Sequence, residues 1–470
     1  MSDSTQFDIT IIGSGPAGYI AAIKSAHLGF NTALIEKSQN LGGTCLNVGC
    51  IPSKALLHSS EIYHNLNHNA SDHGIRTSGL NIDIPVMMKK KDKTVQLLRS
   101  GIQHLMKKNK IKVFQGTASF KSSTELLIVY NTDKRKDEVI SSKKIIIATG
   151  SKPKEISTLP IDGENIVTSD HAIAFANIPT RLAVVGAGAI GLELGSVWSR
   201  LGAKVDVIEF LPQILAGYDK DIADQSQKIF KKQGLNFHLN TKVIGCETDK
   251  KQVVLELDSN GETSSLKADK VLVAIGRVPN TENLNLEAIG LKTDPNGRIT
   301  VNDHYQTEID SIYAIGDVIV GPMLAHKAQE EAIACIEIIA NQAGYVNYEV
   351  IPNVVYTEPE IASAGLTEDK AIEQKLPIKI GKFNLSANGR AIASDSTDGI
   401  VKIISDAKSD RILGIQLIAK GGSEMINACV AHMEYGGSSE DVARTVHAHP
   451  TLSESIKEAA MNVYDRALHS

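Results

Sequence analysis

Residues 7–29 read FDITIIGSGPAGYIAAIKSAHLG, an apolar, β-prone run that breaks at Gly13, Gly15 and Gly18 and passes directly into small residues of helical character. A second strand, TALIEK at 32–37, carries Glu36. The same order returns at 182–202, LAVVGAGAIGLELGSVWSRLG, with Gly186, Gly188 and Gly191, followed by KVDVIEF at 204–210, which carries Glu209. Each acidic residue lies 18 positions past the third glycine of its copy. One GxGxxG is weak evidence, but two in full strand–helix–strand context predict two Rossmann-like dinucleotide-binding units. The first glycine permits the tight turn, the second lets backbone approach a pyrophosphate, and the third lets helix pack on strand. The anion then rests on a helix N-terminus, whose unpaired N–H groups and dipole favour it. Glu36 and Glu209 are placed to accept hydrogen bonds from ribose hydroxyls. A carboxylate would repel a 2′-phosphate, so the second site favours NAD over NADP. Two nucleotide sites imply an electron relay between them.

Outward from these units, 470 residues suggest about three domains. Apolar residues make up 42% and charged residues 22%, ordinary globular values that argue against global disorder. Lys and Arg number 49 against 54 Asp and Glu, a net charge of −5, so there is no basic excess to hold a nucleic acid. No window approaches the roughly 20 apolar residues that cross a bilayer. Only MSDSTQ precedes Phe7, too little for a secretory signal, and a cytoplasmic address is expected. Between the two copies, 87–112 reads as a solvated helix face and 118–139 as a polar meander of short strands. KKIIIATGS at 143–151 and LVAIGRVPN at 272–280 are strands ending in small-residue turns, and TEIDSIYAIGD at 307–317 is a strand turning into a helix. From about Tyr348 alternating strands and two helices, across 423–435 and after Pro450, predict an α+β domain without a fingerprint.

Five cysteines are too few for a disulfide framework, so each is judged by its neighbours. GGTCLNVGCIPSK, 42–54, places four residues between Cys45 and Cys50, which excludes a CxxC motif and offers no second pair for zinc. Pro52 suits the first turn of a following helix, putting Cys50 at its positive end, where a thiolate is stabilised. The pair reads as a redox-active dithiol/disulfide. Cys246, Cys335 and Cys429 stand in apolar surroundings and read as buried packing residues. In HAHPTLSESIKEAA, 447–460, Thr451 and Glu454 match a capping box, which explains both without chemistry. His447 and His449 just ahead of it are candidates for acid–base work. No metal-ligand set is evident.

Taken together, these motifs resemble the flavin disulfide reductases over essentially the whole chain, in that family's order. The resemblance implies a fold of two Rossmann-like domains and a C-terminal α+β dimerisation domain: residues 1–150 binding FAD, 151–278 binding NAD, 279–347 continuing the FAD domain, and 348–470 forming the interface. It implies that Gly13, Gly15, Gly18, Glu36, Lys54, Thr149, Gly150, Asp317 and Ala325 bind FAD, with Asp317 on the ribityl chain and Lys54 near the flavin N5, paired with Glu193. Gly186, Gly188, Gly191, Glu193, Glu209 and Gly276 would bind NAD. Cys45 matches the interchange thiol and Cys50 the thiol in contact with the flavin. His449 matches the acid–base catalyst, oriented by Glu454 and reaching the other subunit of a homodimer. The implied reaction oxidises dihydrolipoamide carried on lipoyl domains of separate proteins, those of an acyltransferase core in 2-oxo acid dehydrogenase complexes or of a glycine cleavage system. Ala332, where the family often has glycine, and the loop AKGGSE at 419–424 depart from its pattern. Glutathione reductases usually have PKK where this chain has PSK, and arginines where it has Glu209; mercuric reductases need cysteines beyond Cys429. A flavoprotein scaffold without turnover is the reading from a different class.

Overall fold

The computed structural model describes residues 6–76, 78–131, 135–249 and 252–469. The chain forms two compact units. One comprises Met1–Ala55, Pro85–Lys154 and Gly276–Val346; the other comprises Leu56–Ile84, Glu155–Ile275 and Asn347–Ser470.

In the first unit, strand Gln6–Ile12 pairs in parallel with Thr32–Glu36 on one side and Glu138–Ile147 on the other. Thr32–Glu36 pairs with the start of Lys112–Phe120, and Ile312–Ala314 adds to Glu138–Ile147, both in parallel. Ile9, Ile11, Leu34, Ile145 and Ile146 are fully buried, as expected for the central strands of a parallel sheet. The stretch read as a polar meander of short strands does form strands, and they are continuous with this sheet. The far half of Lys112–Phe120 turns antiparallel to Glu125–Tyr130, which pairs with the start of Glu138–Ile147. Phe120, Leu126, Ile128 and Ile140 are fully buried there, so an apolar face hidden by short alternation makes this a core element.

In the second unit, a five-stranded parallel sheet runs in the order Leu235–His238, Lys204–Ile208, Arg181–Val185, Lys270–Val273 and Ile166–Val167. An antiparallel three-stranded sheet, Thr241–Thr248 to Glu262–Ala268, is inserted ahead of Lys270. Cys246 lies on its first strand and is half-exposed, against the expectation of burial; Cys335 and Cys429 are buried in apolar cores, where burial pushes both thiols up. The C-terminal part is a five-stranded antiparallel sheet, Asn353–Val355, Glu360–Gly365, Ile412–Ala419, Ile400–Asp406 and Ile378–Asn384 in spatial order. Helices Gly422–Glu434 and Glu454–Asn462 share a core with that sheet through Met425, Ile426, Ile456, Ala459 and Ala460. A further short helix, Ser439–Arg444, escaped sequence reading although Ser438 and Asp441 form a reciprocal capping box. The mixed α/β architecture expected from the repeat is present in full.

Candidate active site

The two glycine units agree down to single hydrogen bonds. Gly13 N–H donates to the Ile35 carbonyl and Gly186 N–H to that of Ile208, each at 2.8 Å. A Cβ on Gly18 would collide with the Gly13 carbonyl, and one on Gly191 with that of Gly186, so helix and turn approach too closely for any side chain. The Glu36 carboxylate accepts the Ser14 amide at 2.9 Å and the Ser38 amide at 2.7 Å. In the second copy the Glu209 carboxylate accepts the Ala187 amide at 2.7 Å and the Leu211 amide at 2.9 Å. Each carboxylate therefore braces the turn on which a dinucleotide would lie, and keeps lone pairs for ribose hydroxyls.

Both turns fit such a ligand. Helices Pro16–His27 and Ala189–Arg200 begin at Gly15 and Gly188 with no side-chain cap, leaving N–H groups for an anion. A Cβ built on Gly188 meets nothing within 4 Å, and one on Gly15 meets only the Gly43 Cα at 3.9 Å, so the middle glycine of each copy opens onto space rather than packing. Of the other expected ligands, Thr149 and Gly150 are tied to Asn280: the Thr149 hydroxyl donates to the Asn280 carbonyl at 2.7 Å, and the Asn280 amide to the Gly150 carbonyl at 2.8 Å. Gly276 adopts a φ of +118° with open space around it. Ala325 opens the helix Ala325–Ile339, also without a side-chain cap.

Asp317 lies in the 3₁₀ turn Gly316–Val318, not in a longer helix. Its carboxylate accepts the Ser151 hydroxyl at 2.5 Å, and Ser151 is held in turn by Arg277 at 2.7 Å. The turn is clamped by a fully buried ion pair. Glu331 accepts the Gly316 amide at 2.8 Å, Lys327 donates to the Gly316 carbonyl at 3.1 Å, and the two charges meet at 2.9 Å. Ser151 and Arg277 are not legible as site residues, because Ser151 reaches Asp317, and Arg277 reaches Ser151, across long stretches of chain. The Lys327–Glu331 pair did leave a signal, its i,i+4 spacing on a helix.

The cysteine segment forms a six-residue helix, Gly43–Val48, followed after Gly49 by the helix Cys50–His68. Cys50 thus begins the longer helix, and Lys54 lies half-buried one turn on. The hydrogen bond to Cys50 drives the Cys45 thiol well above its ordinary range, with burial and the charge of the Cys50 sulfur adding to the effect and Lys54 opposing it. Cys50 itself stands at the positive end of the longer helix, a place that favours a thiolate. Two thiols hydrogen-bonded to each other beside a helix start are the groups that thiol–disulfide exchange needs.

In the second unit, Nδ1 of His449 lies 2.9 Å from the Glu454 carboxylate, whose other oxygen accepts the Thr451 amide at 2.8 Å. The capping box is only half formed: the Thr451 hydroxyl donates to the Ala448 carbonyl instead, and the helix begins at Glu454, four residues past Pro450. Burial raises the Glu454 carboxyl, but the Thr451 amide and the His449 ring outweigh it and hold the group below its ordinary range. His449 is 79% exposed, and its partner Glu454 27%. His447 bonds the Thr445 carbonyl of its own loop at 3.0 Å. Glu193 is buried in the helix Ala189–Arg200, where it accepts the Tyr356 amide at 3.0 Å.

Among the described residues no helix is long and apolar enough to cross a membrane, and no group of three or more His, Cys, Asp or Glu side chains is placed to hold a metal. Residues 7–332 match the pyridine nucleotide-disulphide oxidoreductase family model, and residues 351–460 that family's dimerisation domain. The chain is 48% identical to the mitochondrial dihydrolipoyl dehydrogenase of Pisum sativum over all of its own length and 93% of the relative's. It is 47% identical to a leghemoglobin reductase of Glycine max over 99% of its length and 89% of the relative's. Among solved structures, the HOCl-induced flavoprotein disulfide reductase RclA of Escherichia coli, as its Cu(II) complex, superposes with a TM-score of 0.87 at 28% identity, covering 97% of this chain and 99% of that one. The pea name carries the word mitochondrial, so the cytoplasmic expectation gains nothing from it. Two dinucleotide turns, a cysteine pair at a helix start and a matched dimerisation domain place this chain in the pyridine nucleotide-disulphide oxidoreductase family, whose members bind FAD.

Proposed function

We propose that the chain is a dihydrolipoyl dehydrogenase, which oxidises dihydrolipoamide to lipoamide with NAD as the hydride acceptor. The observation that carries this reading is the 48% identity to a dihydrolipoyl dehydrogenase across the whole chain. We assign residues 1–150 and 279–347 to FAD, 151–278 to NAD and 348–470 to the interface.

In this reading Gly13, Gly15, Gly18, Glu36, Lys54, Thr149, Gly150, Asp317 and Ala325 hold FAD, with Lys54 paired to Glu193. Gly186, Gly188, Gly191, Glu193, Glu209 and Gly276 receive NAD. FAD, when bound, supplies the conversion of a two-electron dithiol oxidation into hydride transfer. The protein's own groups carry the exchange. The Glu454 carboxylate holds the proton of His449 on Nδ1, which leaves Nε2 to take a proton from a dihydrolipoamide thiol. The substrate thiolate attacks Cys45 of the Cys45–Cys50 disulfide; a substrate–Cys45 bond forms, and Cys50 leaves as thiolate. The second substrate thiol, deprotonated in turn, attacks the mixed disulfide on the substrate sulfur, closes lipoamide and releases Cys45. The exposure of His449 suits a catalyst that serves the cysteines of a second copy of the chain. Lipoyl groups would reach the site on separate carrier proteins of 2-oxo acid dehydrogenase or glycine cleavage systems.

The test is direct assay of the purified flavoprotein with dihydrolipoamide and NAD, read as NADH absorbance. Turnover with these substrates is expected. Glutathione reduction driven by NADPH, without lipoamide activity, would replace this reading.

A further inference from the structure

Asn47 stands between the two redox cysteines, and all of its amide chemistry is spent on holding their segment. Its Nδ2 donates to the Leu41 carbonyl at 3.1 Å and to the Gly43 carbonyl at 2.7 Å. Its Oδ1 accepts from Nε of Arg99 at 2.5 Å. Arg99 comes from a separate element, the 25-residue helix Ile84–Lys108, and the two residues are 52 apart in sequence. Both are part-buried, and a hydrogen bond from a charged donor in such a place is among the stronger kinds.

The segment between Cys45 and Cys50 needs such a tether. The helix Gly43–Val48 has only six residues, starts from Gly42 in the left-handed region at φ +103°, and has no side-chain cap. Gly49, which links it to the next helix, contributes no side chain that could brace the linkage. An isolated helix of this length has no stability of its own. Asn47 closes the last turn back onto Leu41 and Gly43, and the arginine obliges its oxygen to face away from those two carbonyls.

We propose that Arg99 is a positioning residue for the redox pair: acting through Asn47, it keeps Cys45 and Cys50 at reclosing distance when their disulfide opens. This rests on the Cys45–Cys50 redox role proposed above. Holding two thiols in range favours the disulfide over the dithiol, because less chain freedom is lost on closure. Loss of the tether therefore makes the disulfide easier to reduce. The worth of one hydrogen bond to a charged group caps the shift in that equilibrium at roughly ten- to 150-fold, and a part-exposed tether is expected to deliver the lower end.

The experiment is a redox titration of the FAD-loaded protein against mixtures of reduced and oxidised dithiothreitol, with thiols trapped by alkylation and counted by mass. Arg99→Leu is expected to shift the balance toward dithiol by three- to tenfold, the larger value being about 30 mV for a two-electron couple. In an Asn47→Ala background the same arginine change is expected to do nothing, because the partner through which it acts is gone. Equal shifts in both backgrounds would make Arg99 a general stabiliser and overturn the proposal, as would no shift in either. Should Arg99→Leu fail to retain FAD, Arg99→Met, which keeps the length of the stem and has no donor, serves in the same cycle. Dithiothreitol replaces lipoamide throughout, so a protein without lipoamide turnover would refute the proposed activity while leaving this cycle readable.

Discussion

Nδ1 of His449 and the carboxylate of Glu454, 2.9 Å apart, are bound within one loop-to-helix junction, and that bond fixes which ring nitrogen is left to move a proton. Because the same carboxylate also holds the Thr451 amide, one acidic residue both braces the junction and orients the imidazole.

Replacing His449 by Gln removes the proposed proton acceptor and is expected to slow lipoamide turnover by roughly 10²–10⁴-fold, the usual worth of a general base. FAD absorbance should be unchanged. An unaltered rate would return His449 to a purely structural role.

Glu454→Gln keeps the shape and removes the charge. The folded-state carboxyl lies below its ordinary range, so its contribution to stability is complete above the unfolded value of about 4.3 and is lost as pH falls through the lower folded value. Urea unfolding should therefore show the variant less stable than the parent at neutral pH, with the gap closing in acid. A gap that widens in acid would contradict the sign.

Cys45→Ser should abolish lipoamide turnover while leaving a yellow, FAD-loaded protein that still passes electrons from NADH to ferricyanide. Retained lipoamide turnover would separate the cysteine pair from the reaction.

At the second glycine turn, Glu209→Ala removes the charge proposed to oppose a 2′-phosphate. The ratio of kcat/KM for NADH-type over NADPH-type nucleotides is expected to fall by roughly tenfold or more, the equivalent of about 1.4 kcal/mol. Gly191→Ala should instead weaken NAD binding without loss of FAD, since the added Cβ meets the Gly186 carbonyl and disturbs that turn alone.

Breaking the buried Lys327–Glu331 pair is expected to cost about 3–5 kcal/mol, because the surviving charge is left without a partner in a fully buried place. Lys327→Met should lower the thermal midpoint and loosen FAD, and Lys327→Met with Glu331→Leu should recover part of the loss. Equal midpoints for parent and single variant would show that the pair does not clamp the Gly316 turn.

What the sequence determined by itself is what depends on neighbours along the chain. The glycine spacing dictates where a Cβ is impossible, Pro52 and Cys50 mark a helix start, and His449 lies five residues from Glu454. Each is a local steric or hydrogen-bonding requirement written within one or two turns. Tertiary structure decided what pairs across distance. Ser151 meets Asp317 from 166 residues away, and Arg99 meets Asn47 from 52. It also overruled a local rule: the Thr451 hydroxyl turned to the Ala448 carbonyl while Glu454 took His449, so a motif read as a cap became half cap and half orienting group. A short polar side chain has several partners of similar worth within reach, and packing of the whole chain selects among them.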